Sequence, residues 1–164
     1  MDDYIGLDAL NAMPADELRT HLLGVCASTR WADEVVRGRP YASVADLYAR
    51  SDRAVRALDD DALGEALAGH PRIGDRPDSA VSAREQASMA DAATSIADRI
   101  RAGNLAYEER FGHVYLVCAS GKSPDELLAI LESRLHNDPA TERGVVLDEL
   151  AAINRLRLGR LFAP

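Results

Sequence analysis

Gly112-His113-Val114-Tyr115-Leu116-Val117-Cys118-Ala119 is the one stretch of this sequence with the side-chain chemistry of a β-strand. β-Branched and aromatic residues crowd it, as they do in strands. A strand needs a neighbour, because a solitary one leaves its backbone N–H and C=O groups unpaired. No second stretch of that character occurs, so the segment is read as an extended, buried crossing between helices. The fold class follows: all-α, a single-domain multi-helix bundle over residues 1–164 with one extended buried segment near 112–119.

Working outward from it, the flanking sequence is helical. Ser123-Pro124-Asp125-Glu126 combines an N-cap, a proline at the first helical position and a capping-box glutamate. Asp138-Pro139 opens a last helix running to about Arg160. Upstream, a long helix is expected from Ser82 to Arg101 and a shorter one from Asn104 to Arg110, after a polar turn at Gly74 to Ser79 that contains Pro77. Asp60 caps a helix carrying Leu63, Ala66 and Leu67, which Gly69 ends. Ser43 caps another, with Val44, Leu47, Tyr48, Val55 and Leu58 on its apolar side. A short helix spans Trp31 to Arg37 before Gly38-Arg39-Pro40, one runs from Pro14 to about Cys26, and Leu7 to Asn11 forms a helical turn.

Composition narrows the function. With 164 residues the chain holds one full core, and its 47% hydrophobic and 28% charged residues are those of an ordinary globular domain. A net charge of −8 argues against nucleic acid or an anionic membrane as partner. Cys26 and Cys118 lack CxxC spacing and read as buried thiols in a reducing compartment. Met1-Asp2-Asp3-Tyr4 has no basic, apolar leader, and no run approaches the ~20 apolar residues of a membrane span, so a cytoplasmic protein is expected.

Three polar residues fall where apolar ones belong. At about 100° per residue, Glu85 lies on the stripe formed by Met89, Ala92, Ile96 and Ile100, with Ser82 on that side and Gln86 at its edge. An ionised carboxylate there requires a partner. Ser82-x-x-Glu85 is equally a capping box, and both readings stand. Arg157 projects into the face formed by Val146, Leu147, Leu150, Ile153 and Leu161, with Asn154 beside it and Arg155 on the opposite side. His70 follows a helix-ending glycine and precedes Pro71, which drives it out of helical geometry. An imidazole, a carboxylate and a guanidinium turned inward suggest acid–base chemistry on an anionic substrate. His70, Glu85 and His113 lack metal-ligand spacing, so no metal is expected. No nucleophile elbow or phosphate-binding glycine loop is present, and Lys122 sits in a Gly-Lys-Ser turn that reads as exposed.

The motifs His70-Pro71-x-Ile73-Gly74, Ser82-x-x-Glu85-Gln86, Phe111-Gly112-x-x-Tyr115-Leu116-Val117-Cys118-Ala119, Arg134-Leu135-x-Asn137-Asp138-Pro139 and Arg157-Leu158 occur in one order over nearly the whole chain. Together they resemble the OHCU decarboxylases, which act on 2-oxo-4-hydroxy-4-carboxy-5-ureidoimidazoline in urate catabolism. The resemblance implies a cofactor-free, all-helical, homodimeric enzyme that forms (S)-allantoin. It implies His70 as the catalytic acid and Glu85 as its partner. Substrate contacts would come from Pro71, Ser82, Gln86, Arg157 and the backbone of Tyr115, Leu116, Val117, Cys118 and Ala119. Two features depart from many members: a shorter loop before Ser82, and His113 with Tyr115 in place of Phe-Pro-Phe. The residues read without that resemblance leave two alternatives: a non-catalytic helical dimerisation module, or another small-molecule lyase on the same scaffold.

Overall fold

A computed structural model of the chain describes residues 4–73 and 94–164. Among them eight helices follow one another and no strand occurs: α1 Leu7–Ala12, α2 Ala15–Val25, α3 Thr29–Arg37, α4 Val44–Arg56, α5 Asp60–Ala68, α6 Thr94–Phe111, α7 Pro124–Arg134 and α8 Pro139–Phe162. The all-α expectation is borne out. The Gly74 to Ser79 turn and the start of the helix expected from Ser82 lie outside the described residues.

Local chemistry starts each helix where a side-chain oxygen can receive an orphan N–H. Ser28 accepts from the Trp31 N–H at 3.1 Å, and Ser43 from the Asp46 N–H at 3.2 Å. Ser123 accepts from the Glu126 N–H at 3.2 Å while Glu126 answers with its carboxylate, completing the expected capping box. Asp138 accepts from the Thr141 N–H at 2.8 Å ahead of α8. One cap differs from expectation. Asp59, not Asp60, caps α5, accepting from the Ala62 N–H at 2.8 Å. Three aspartates follow one another there, and hydrophobic spacing does not tell them apart.

A second difference is larger. The helix expected to break between Arg101 and Asn104 runs unbroken through α6. Glycine and asparagine disfavour helix interiors, yet both are claimed by tertiary contacts. Gly103 admits Leu131 of α7 so closely that a Cβ would stand 2.5 Å from its Cδ2. Asn104 is buried and donates from Nδ2 to the Ile73 C=O at 2.8 Å.

The chain divides into two compact units: Met1–Gly69 with Leu150–Pro164, and His70–Glu149. The first gathers Leu10, Leu18, Leu22, Trp31, Val35, Leu47, Val55, Leu158 and Phe162 in its core. The Trp31 indole N–H donates to the buried Ser51 hydroxyl at 3.1 Å, satisfying the polar tip of its largest side chain. The second unit packs α6 and α7 around Ile73, Ile100, Tyr107, Tyr115, Val117, Leu127 and Leu131. No helix among the described residues is long and apolar enough to cross a membrane.

Candidate functional site

His70 leaves the end of α5 through Gly69, a residue that must be small because a Cβ there would lie 2.8 Å from that of Ala27. His70 and Pro71 are half-buried. The next two residues are clamped to α6. Arg72 makes a two-pronged ion pair with Glu108, Nε to Oε2 at 2.8 Å and Nη2 to Oε1 at 2.9 Å. Ile73 is buried, and its carbonyl takes the Asn104 amide described above. The imidazole is thus carried on a short backbone segment tied down within three residues. Ser82, Glu85 and Gln86 lie outside the described residues.

The extended segment is bracketed by two glycines in the left-handed region, Gly112 at φ 80° and Gly121 at φ 77°. They let the backbone leave α6 and enter the turn before α7 without the strain any other residue would meet. Residues 114–119 lie outside any helix, and Tyr115, Leu116, Val117 and Ala119 are buried. Cys118, expected to be buried, is half-buried. The Tyr115 hydroxyl donates to the Leu127 C=O at 3.0 Å, and burial pushes its phenol pKa up. Lys122 is not the exposed residue its turn suggested. It is half-buried, and its Nζ donates to the Cys118 C=O at 2.7 Å.

Beneath the segment lies an ionic cluster that sequence reasoning passed over. Arg134 and Glu142 are both buried. The Arg134 Nε meets Glu142 Oε2 at 2.9 Å, Nη2 bonds the same carboxylate, and Nη1 donates to the Leu116 C=O at 2.6 Å. Tyr107 donates its hydroxyl to Glu142, and Asn137 Nδ2 donates to Glu142 Oε1 at 3.1 Å. The guanidinium also lies 5.0 Å from the Tyr115 ring centroid. Burial would raise the Glu142 pKa, but the bonds from Arg134, Tyr107 and Asn137 outweigh it and hold the carboxyl below its usual range. For Arg134, burial works against the charge, and the Glu142 bond together with the Glu142 charge and the neighbouring Tyr107 and Tyr115 outweighs it. The pair is ionised. A signal for it existed: Arg134 shares a helical stripe with Leu127 and Leu131, and Glu142 one with Val146 and Ile153.

In the first unit, Arg157 is half-buried on α8, and its Nη1 donates to the Val25 C=O at 2.8 Å, one of the acceptors left open at the end of α2. Asn154, one turn earlier, is fully buried beside the Cys26 thiol, its polar neighbour. Cys26 is buried too, and burial pushes its thiol pKa up. Arg155 points away, 4.8 Å from the Tyr48 ring centroid. The inward and outward assignments of the two arginines match the helical count. A groove of about 660 Å³ between α3 and α4 is lined by Arg30, Asp33, Glu34, Arg37, Arg50 and Arg53. Its charges largely answer one another, with Glu34 taking both Arg37 and Arg50, and it contains none of the expected site residues.

Comparison with known proteins adds the chemistry. A sequence model of the family described as OHCU decarboxylase matches residues 11–159. A 2-oxo-4-hydroxy-4-carboxy-5-ureidoimidazoline decarboxylase of Haloferax volcanii is 31% identical over 137 residues, covering 81% of this chain and 82% of that protein. The uric acid degradation bifunctional protein TTL of Arabidopsis thaliana is 25% identical over 146 residues, covering 84% of this chain but 45% of its own length. Thus the chain spans less than half of that bifunctional relative. A crystal structure of an OHCU decarboxylase in the presence of (S)-allantoin superposes with a TM-score of 0.77 at 25% identity, covering 87% of this chain and 96% of that one.

Proposed function

The chain belongs to the OHCU decarboxylase family, and from that premise we propose that it converts 2-oxo-4-hydroxy-4-carboxy-5-ureidoimidazoline to (S)-allantoin in urate catabolism. The observation that carries the proposal is the family match over residues 11–159, a range that contains the His70-Pro71 pair.

The substrate carries its carboxylate and a hydroxyl on one ring carbon, next to the ureido-bearing carbon of the ring C=N. The bond from the first carbon to the carboxylate breaks, CO2 leaves, and the electron pair moves into the neighbouring C=N, so the step calls on no cofactor as an electron sink. As the hydroxyl gives up its proton and becomes the ring carbonyl of allantoin, a proton goes to one face of the ureido-bearing carbon. His70 delivers it. Glu85 holds the imidazole tautomer and stabilises the imidazolium. Pro71, Ser82 and Gln86 contact the substrate, and Arg157 with backbone N–H groups of residues 115–119 receives its anionic and carbonyl oxygens. The clamp of Arg72 and Ile73 on α6 supports the assignment of His70, since a proton donor must be aimed. Two copies of the chain form the working enzyme.

Freshly oxidised urate, followed by circular dichroism, tests the reading. The wild-type protein should form (S)-allantoin faster than the spontaneous decay, and His70→Asn should lose both the acceleration and the enantiomeric excess. A His70→Asn protein that keeps the excess removes His70 from the role. Glu85→Gln separates the two readings of that glutamate: lost turnover supports the acid–base partner, whereas lost thermal stability with intact turnover supports the capping box.

A further inference from the structure

The backbone of residues 115–119 is unequal at its two edges. In extended chain, successive residues turn their N–H and C=O groups to opposite sides, so 116 and 118 share one edge and 115, 117 and 119 share the other. Cations occupy the first edge. Arg134 Nη1 donates to the Leu116 C=O at 2.6 Å, and Lys122 Nζ donates to the Cys118 C=O at 2.7 Å. On the second edge, the Ala119 C=O accepts from the Lys122 N–H at 3.1 Å and closes the turn. The N–H and C=O groups of Tyr115 and Val117 have no hydrogen-bond partner among the described residues. Those two residues are 2% and 3% exposed, so bulk water does not serve them either. Buried backbone groups are almost always paired, and an open row of them calls for a ligand.

We propose that Arg134 and Lys122 are positioning residues, which hold the Leu116 and Cys118 carbonyls so that the Tyr115 and Val117 edge faces the substrate. The inference rests on the decarboxylase reading and sharpens it. The ureido and ring amide groups of the substrate offer adjacent N–H donors and C=O acceptors, the complement of a strand edge. Arg134 suits the task because its fork is fully divided: Nε and Nη2 go to Glu142, which leaves Nη1 for Leu116. Glu142 is itself fixed by Tyr107 and Asn137. A lysine at 134 keeps the charge but lacks the fork to reach both partners.

Steady-state kinetics on freshly generated substrate tests this with Lys122→Met, Lys122→Arg and Arg134→Lys beside the wild type, each checked for fold by far-UV circular dichroism and melting temperature. Lys122→Met should raise KM roughly threefold to tenfold, with a smaller change in kcat, for the loss of one ordering hydrogen bond. Lys122→Arg keeps a donor and should return KM to within about twofold of the wild type. Arg134→Lys should raise KM as well, and if it does not fold the Lys122 pair decides the matter by itself. A folded Lys122→Met with wild-type KM overturns the inference alone, as does a Lys122→Arg equally impaired. A wild-type protein with no activity overturns the decarboxylase reading and this inference together.

Discussion

Replacing Glu142 by glutamine keeps its shape and removes its charge, leaving the Arg134 guanidinium buried without its counter-ion. Breaking one half of a buried pair costs about 3–5 kcal/mol, so Glu142→Gln should lower the unfolding free energy in urea by that order. The pH dependence has a definite sign. The Glu142 pKa is depressed in the fold, so its stabilisation is present above the unfolded value near 4.5 and is lost as pH falls through the lower folded value. Acid unfolding below that point should be less steep in Glu142→Gln than in the wild type. These residues were within reach of the sequence. The angular count that turned Glu85 and Arg157 inward also turns Arg134 and Glu142 inward, each against leucine, isoleucine or valine neighbours on its own helix. What no count supplies is that the two face each other, because that pairing depends on how the chain turns from the end of α7 into the start of α8. The Asp59 cap fails for a different reason, since adjacent aspartates have equal capping chemistry.

At the scale of an element, α6 and α8 carry glycines of opposite meaning. Gly103 is the contact surface for Leu131, whereas Gly144 has nothing within 4 Å of a would-be Cβ. Alanine relieves about 0.5–1 kcal/mol of helix-propensity cost at either position. Gly144→Ala should therefore raise the melting temperature. At Gly103 the clash with Leu131 opposes that gain with about 1–3 kcal/mol of overpacking, and Gly103→Ala should lower it. Paired thermal melts check both. The sequence reading broke the helix near this glycine because propensity is a local quantity, while the reason for keeping glycine lies on another helix. The extended segment was legible for the converse reason: its β-branched run had no partner anywhere in the chain, and that is visible without coordinates.

For the whole molecule, family membership carries the expectation of a two-fold assembly, and light scattering should give a mass twice that of the chain, independent of concentration over the working range. A monomer at assay concentration that still turns over would detach activity from assembly. The fold class was readable from hydrophobic period and caps. The division at Leu150 was not, because it falls inside α8, whose apolar stripe runs on through Val146, Leu150 and Ile153 without a break. Trp31 is the sole tryptophan, buried against Ser51 in the unit formed by Met1–Gly69 with Leu150–Pro164. Its fluorescence therefore reports one unit only. The unit from His70 to Glu149 holds Tyr107 and Tyr115 and no indole, so its unfolding is optically silent at tryptophan wavelengths and must be followed through tyrosine absorbance or the far-ultraviolet helix signal. Coincidence or separation of those traces in one titration reads out directly whether the chain melts in one cooperative step.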